Sequence, residues 1–224
     1  MQPWMLEVWG DWACFTRPEM KVERVSYDII TPSSARAIFD AILWKPAIRW
    51  HIQKIEVLKP IKKITIRRNE VDRIATLPTS KLLQGGQADS LGFDIESSRQ
   101  QRASLLLQDV HYRLHAWFEF LPENNLEHGA DENSAKYAAM FERRATNGQY
   151  FHQPYLGCRE FACYFQLVKP EDDLEPPISL TKDLGWMLYD MDYTDPNNIT
   201  PEFFDAKMVN GTINTDRRVV EVYR

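Results

Sequence analysis

Residues 109–121, DVHYRLHAWFEFL, alternate so strictly that they predict an extended strand. Val110, Tyr112, Leu114, Ala116, Phe118 and Phe120 point one way, and His111, Arg113, His115, Trp117 and Glu119 point the other. Such a strand has one apolar and one polar face. The rest of the chain must supply its neighbours and its cover.

The sequence supplies both in a definite order. LEVWG alternates as a first strand, and a long connection broken by Pro18 and Pro32 follows. Thr31 or Ser33 caps a short helix with Ala35, Ile38 and Ile42 on one face, and Pro46 stops it. Residues 47–58 read as a second strand. Residues 59–102 are too polar and interrupted for core and predict a protruding hairpin or loop. A second helix near Asn133–Asn147 is capped by Asp131 or Asn133 and stopped by Gly148. EFACYFQLV then alternates as a further strand. This order predicts an α+β protein with a ferredoxin-like (RRM-like) βαββαβ domain over 1–170, carrying the 59–102 insertion. Residues 171–224, with GWMLYDMDY and a hairpin at Asn210-Gly211, predict a small C-terminal antiparallel β-sheet domain.

With 224 residues the chain can bury a substantial core. No apolar run approaches the roughly 20 residues that span a bilayer, and the N-terminus has no signal-peptide pattern. Cys14, Cys158 and Cys163 form no CxxC pair, which fits reduced thiols. These features predict a cytoplasmic protein without membrane contact.

The net charge of −5 disguises an uneven distribution. Residues 1–113 carry 17 Lys+Arg against 13 Asp+Glu, and Lys45–Arg73 alone carry nine basic residues against three acidic. Such a local potential steers a polyanion whatever the total. Between Gly10 and Trp50 the cations Arg17, Lys21, Arg24, Arg36, Lys45 and Arg49 are interleaved with Trp12, Phe15, Tyr27, Trp44 and Trp50. Cations hold phosphates and flat rings accept unpaired bases, so the mixture suits single-stranded nucleic acid. Arg67, Arg68 and Asn69 inside the polar insertion, with Arg99 and Arg102 closing it, add two basic clusters to that surface.

On the polar face of the 109–121 strand, alternate side chains stand roughly 7 Å apart. His111, Arg113, His115 and Trp117 therefore form a ridge of titratable, cationic and stacking groups. Metal-free RNA cleavage needs such groups: a base for the ribose 2′-hydroxyl, an acid for the leaving oxygen and a cation for the phosphate. A solvated strand face is the plainer reading. Neither HExxH, GxxxxGK[ST] nor GxSxG is present, and no metal or cofactor is expected.

The Gly10–Trp50 block, IRRNEV, SSRQQRASLLLQDVHYRLHA and QYFHQPYLGCREFACYF together resemble the Cas-five family of CRISPR-associated proteins, subtype I-C (Dvulg type), of the RAMP superfamily. The resemblance runs in order from about residue 5 to 193. It implies a ferredoxin-like domain backed by a smaller β-sheet. It further implies metal-independent cleavage of CRISPR repeat RNA through the 2′-hydroxyl, and retention on the 5′ handle of the guide RNA. The implied partners are that guide, the backbone and large subunits of a type I-C Cascade complex, and target DNA within it.

In this comparison Leu43 stands where processing members often carry tyrosine or histidine, and Trp117 where histidine is frequent. His115 is then the expected proton-transfer residue, with Tyr27 and Lys21 as helpers. Arg17, Arg24, Arg49, Arg67, Arg68, Asn69, Arg99, Arg102 and Arg113 are the expected RNA-binding set. A non-catalytic subunit that only binds the 5′ handle is the alternative.

Overall fold

The long alternating strand is the spine of the molecule. A computed structural model describes residues 3–74, 77–85, 92–121, 133–169 and 172–224. Its strands are β1 (Trp4–Ala13), β2 (Ile48–Val57), β3 (Lys62–Val71), β4 (Arg99–Phe120), β5 (Tyr164–Val168), β6 (Lys182–Asp192), β7 (Thr200–Val209) and β8 (Thr212–Asn214). Its α-helices are α1 (Pro32–Ile42), the single turn α2 (Ser80–Leu83) and α3 (Ser134–Thr146). The strands form one antiparallel sheet in the order β5-β1-β4-β2-β8-β7-β6, with β3 paired to β4 off this path.

β4 serves two sets of neighbours. On one edge residues 99–108 pair with β3, from Lys62↔Gln108 to Val71↔Arg99, and residues 112–120 pair with β2; on the other edge residues 107–116 pair with β1. Asp109 marks the change, with a φ of 53° that interrupts the regular pleat. The two ends of the polar insertion thus form a two-stranded ribbon continuous with the central strand. β6, β7 and β8 join the same sheet through β8 against β2. Asn210 (φ 48°) and Gly211 (φ 73°) make the tight turn between β7 and β8, where both central residues need positive φ.

The apolar face of β4 fulfils its pattern: Val110, Tyr112, Leu114, Ala116 and Phe118 are all buried. α1 and α3 cover it. Thr31 Oγ1 accepts the Ser34 amide hydrogen to cap α1, and Asn133 Oδ1 accepts that of Lys136 to cap α3. The other cap considered for α3, Asp131, lies outside the described residues. Phe39 from α1, Trp50 from β2 and Phe141 from α3 meet with ring centroids 4.6–5.6 Å apart. The Trp50 indole donates to the Leu43 carbonyl at 2.9 Å, so the ring's one polar atom is satisfied inside the core. Among the described residues no helix is long and apolar enough to cross a membrane.

Candidate nucleic-acid interface and cleavage site

The Gly10–Trp50 block divides between core and surface. Phe15, Tyr27 and Trp50 are buried, whereas Trp44 is 59% exposed. Three of its five rings therefore build the fold instead of offering a free face. Leu43 is fully buried, which makes its position a packing position in this chain.

The polar face of the sheet is where the expected ridge lies, and its centre is tied down. Arg113 is buried, donating from Nε and Nη2 to Glu7 Oε1 (3.1 and 2.7 Å) and from Nη1 to Glu56 Oε2 (2.9 Å). Its Nη2 also donates to the Glu175 carbonyl, and Ile178 N donates to Val57 O. The acidic, proline-containing segment around residue 175 therefore passes over the ridge. His115 is 7% exposed, its Nε2 lying 3.3 Å from Glu56 Oε1 without hydrogen-bond alignment. Burial would raise the Glu56 carboxyl, but His115 and Lys54 outweigh it and hold the group at about 2. Arg113, expected to face RNA, is instead an internal clamp of strands β1, β2 and β4.

Nor does the fold bring His115, Tyr27 and Lys21 together. Ser26 N donates to Leu105 O, fixing Tyr27 beside residue 105 of β4, ten residues from His115. On an extended strand that is on the order of 30 Å. Tyr27 is buried, its hydroxyl accepting from Leu188 N at 3.2 Å; burial, above all, raises its pKa. Arg17 lies over its ring at 4.4 Å, and Lys21 is exposed just beyond the short turn Pro18–Met20.

The ribbon does gather basic residues. Arg68 and Arg102 are cross-strand partners, and with Arg24 they surround Glu70 at 3.5, 3.8 and 3.2 Å. Glu160 pairs with Arg68, so two carboxylates face three cations. The Cys14 thiol is held down at about 6, first by its hydrogen bond with Cys158 and further by Arg24 and Arg68. On the opposite face of the ribbon Arg67, Asn69, Arg99 and Gln101 are exposed, and neither Arg67 nor Arg99 makes an ion pair among the described residues.

A further site, missed in the sequence, sits at the edge of β2. His51 stacks on Trp117 with centroids 4.6 Å apart and planes at 19°, and its Nε2 is 3.3 Å from Glu119 Oε2. Arg218 lies over the Trp117 ring at 5.4 Å. His51 and exposed Arg49 line a groove of about 520 Å³ with Arg36 from α1 and Asp190 and Asp192 from β6. Glu202 of β7 and the C-terminal Arg217 and Arg224 close it. His51 titrates below the ordinary histidine range because of burial first, with Arg49 and Arg36 adding and Glu119 opposing. The outward phase of Arg49 and His51 on their strand was the signal in the sequence; the contact of His51 with Trp117 needed the register His51↔Trp117.

One antiparallel sheet with two helices on one face, a basic ribbon continuing one end of its central strand and a groove lined by rings and charges near the other end define an α+β protein with two candidate surfaces for a polyanion. The chain belongs to the CRISPR-associated protein family Cas_Cas5, whose model matches residues 5–216. It is 48% identical over 216 residues to the CRISPR pre-crRNA endoribonuclease Cas5d of Mannheimia succiniciproducens, covering 93% of this chain and 92% of that one. The protein of the same name from Thermus thermophilus is 42% identical over 190 residues, covering 85% and 73%. Among solved structures, a functionally uncharacterized Streptococcus mutans protein, SMU1763c, superposes with a TM-score of 0.69 at 22% identity, covering 100% of this chain and 97% of that one. A CRISPR-associated protein matches equally, at 21% identity and a TM-score of 0.69, with the same coverage.

Proposed function

We propose that this chain is a pre-crRNA endoribonuclease that cuts CRISPR repeat RNA without a metal and stays on the 5′ handle as a type I-C Cascade subunit. The observation that carries this reading is the 48% identity, over almost the whole of both chains, to a CRISPR pre-crRNA endoribonuclease. The strand order β5-β1-β4-β2, with helices after the first and third of these strands in sequence, supports the ferredoxin-like reading. Arg67 and Arg99, exposed and without an ion pair among the described residues, support phosphate and base contacts along the ribbon beside Asn69. Arg17, Arg24, Arg68 and Arg102 extend this basic surface onto the first block. Guide RNA, neighbouring Cascade subunits and target DNA are the partners this reading names, and a cytoplasmic location follows from them.

The decisive experiment mixes purified protein with its own repeat RNA in EDTA, beside the same RNA carrying one 2′-deoxyribose at the cut. Cleavage of the all-ribose strand only, leaving a 2′,3′-cyclic phosphate, is expected. Tight binding without cutting would favour the handle-binding subunit, and a requirement for Mg²⁺ would defeat the mechanism.

Binding has its own signature. Arg67→Ala and Arg99→Ala are each expected to weaken RNA binding for all sequences and to lower the slope of log K against log salt by about 1. A slope identical to wild type would place these arginines off the RNA path.

A further inference from the structure

We propose that His51 is the general base of RNA cleavage in this chain, an assignment that rests on the endoribonuclease reading above. In the neutral tautomer that donates Nε2–H to Glu119, the lone pair is left on Nδ1. That nitrogen accepts the proton of the ribose 2′-hydroxyl. The 2′-oxygen then forms its bond to phosphorus as the P–O5′ bond breaks, giving a 2′,3′-cyclic phosphate. The departing O5′ takes a proton from water, and His51 returns its own to solvent.

Four observations converge on this residue. The His51 side chain is 28% exposed and lines the groove, whereas that of His115 is 9% exposed beneath the segment that crosses Arg113. Trp117 fixes the plane of the His51 ring, and Glu119 fixes its tautomer, which makes Glu119 a positioning residue. Arg49, two residues away on the same face of β2 and roughly 7 Å distant, is exposed, makes no ion pair among the described residues and is able to hold a phosphate oxygen. His51 is also shifted toward its neutral form, the form a base needs. His111, by contrast, lies 3.4 Å from Glu7 on the far side of Arg113.

The test measures single-turnover cleavage of repeat RNA at saturating protein, with RNA binding measured separately. His51→Ala is expected to cut about 10²–10⁴-fold more slowly. Imidazole added to the buffer should restore part of that loss, because the groove beside the missing ring admits it. Wild type should show a rate rising with pH through a limb below 6.5, absent from His51→Ala. The charges that set this limb are Glu119 from β4, Arg36 from α1, Arg49 on β2, Asp190 and Asp192 from β6, Glu202 from β7, and the C-terminal Arg217 and Arg224. Glu119→Gln, which removes the carboxylate charge that raises His51, should move the limb lower. If wild type does not cut at all, the enzyme reading fails. If wild type cuts but His51→Ala cuts within threefold of it, the assignment to His51 is overturned. Loss without imidazole rescue, together with a wild-type rate flat between about pH 5 and 7, also overturns it. So does full activity of His51→Ala beside an inactive His115→Gln.

Discussion

Glu56→Ala is expected to destabilise the fold by about 3 kcal/mol, measured as a fall in the urea midpoint at unchanged m. Glu56 is buried on the sheet between three positive or potentially positive groups: Arg113 at 2.9 Å, Lys54 at 2.6 Å and His115 at 3.3 Å. Deleting the carboxylate leaves the Arg113 guanidinium with Glu7 as its one ion-pair partner among the described residues and the Glu175 carbonyl as a neutral acceptor, in a place water hardly reaches. An uncompensated buried charge costs far more than an exposed pair contributes. The exposed pair Lys207–Asp205 is the comparison, and Asp205→Ala should shift stability by less than about 0.5 kcal/mol. Equal effects of the two substitutions would mean that the Glu56 site is open to solvent.

The same carboxylate sets an acid response of known sign. Glu56 is depressed from 4.5 to about 2, so its contribution is fully present above the unfolded value and disappears as pH falls through the folded one. The wild type should therefore lose stability between about pH 4.5 and 2 more steeply than Glu56→Gln. Parallel curves for the two proteins would show that Glu56 carries none of this dependence.

Arg113 and His115 also mark where the sequence stops being readable. Alternation along 110–120 placed them together on the polar face, and the structure has them there. Local chemistry was equally legible: Thr31 as the α1 cap and Asn210-Gly211 as a tight turn depend only on near neighbours. What alternation cannot carry is the identity of partners on other strands. Glu7 lies 106 residues from Arg113 and Glu56 lies 57 away, and only the register Glu7↔Arg113↔Glu56 turns the ridge into an ion-paired clamp. The segment around residue 175 is acidic and carries Pro176 and Pro177. Those same features let it lie over an arginine without entering a strand. His51 was hidden for a similar reason: its strand was recognised, but its partner Trp117 lies 66 residues ahead.

Gly157→Ala is expected to cost several kcal/mol or to prevent folding, a larger loss than its backbone angle alone would give. The residue has φ +83°, and a Cβ there would stand 2.1 Å from the Cys14 carbonyl oxygen and 2.6 Å from its carbon. Neither atom can yield as a side-chain tip would, because Cys14 N is itself bonded to Leu156 O at 3.0 Å. The loop must move, and with it Cys158 and Glu160, the latter being the partner of Arg68 in the basic ribbon. Gly148 separates the two contributions, since it too has positive φ (+62°) but nothing within 4 Å of its missing Cβ. Gly148→Ala should therefore show the conformational part alone, about 1 kcal/mol. Thermal and urea unfolding of the two variants side by side measure the difference. If they melt together, the close approach of the 155–160 loop to β1 does not exist in solution. If Gly157→Ala folds but is weakened, its RNA affinity should fall with its stability, because the loop that Gly157 admits against Cys14 also sets the position of Arg68.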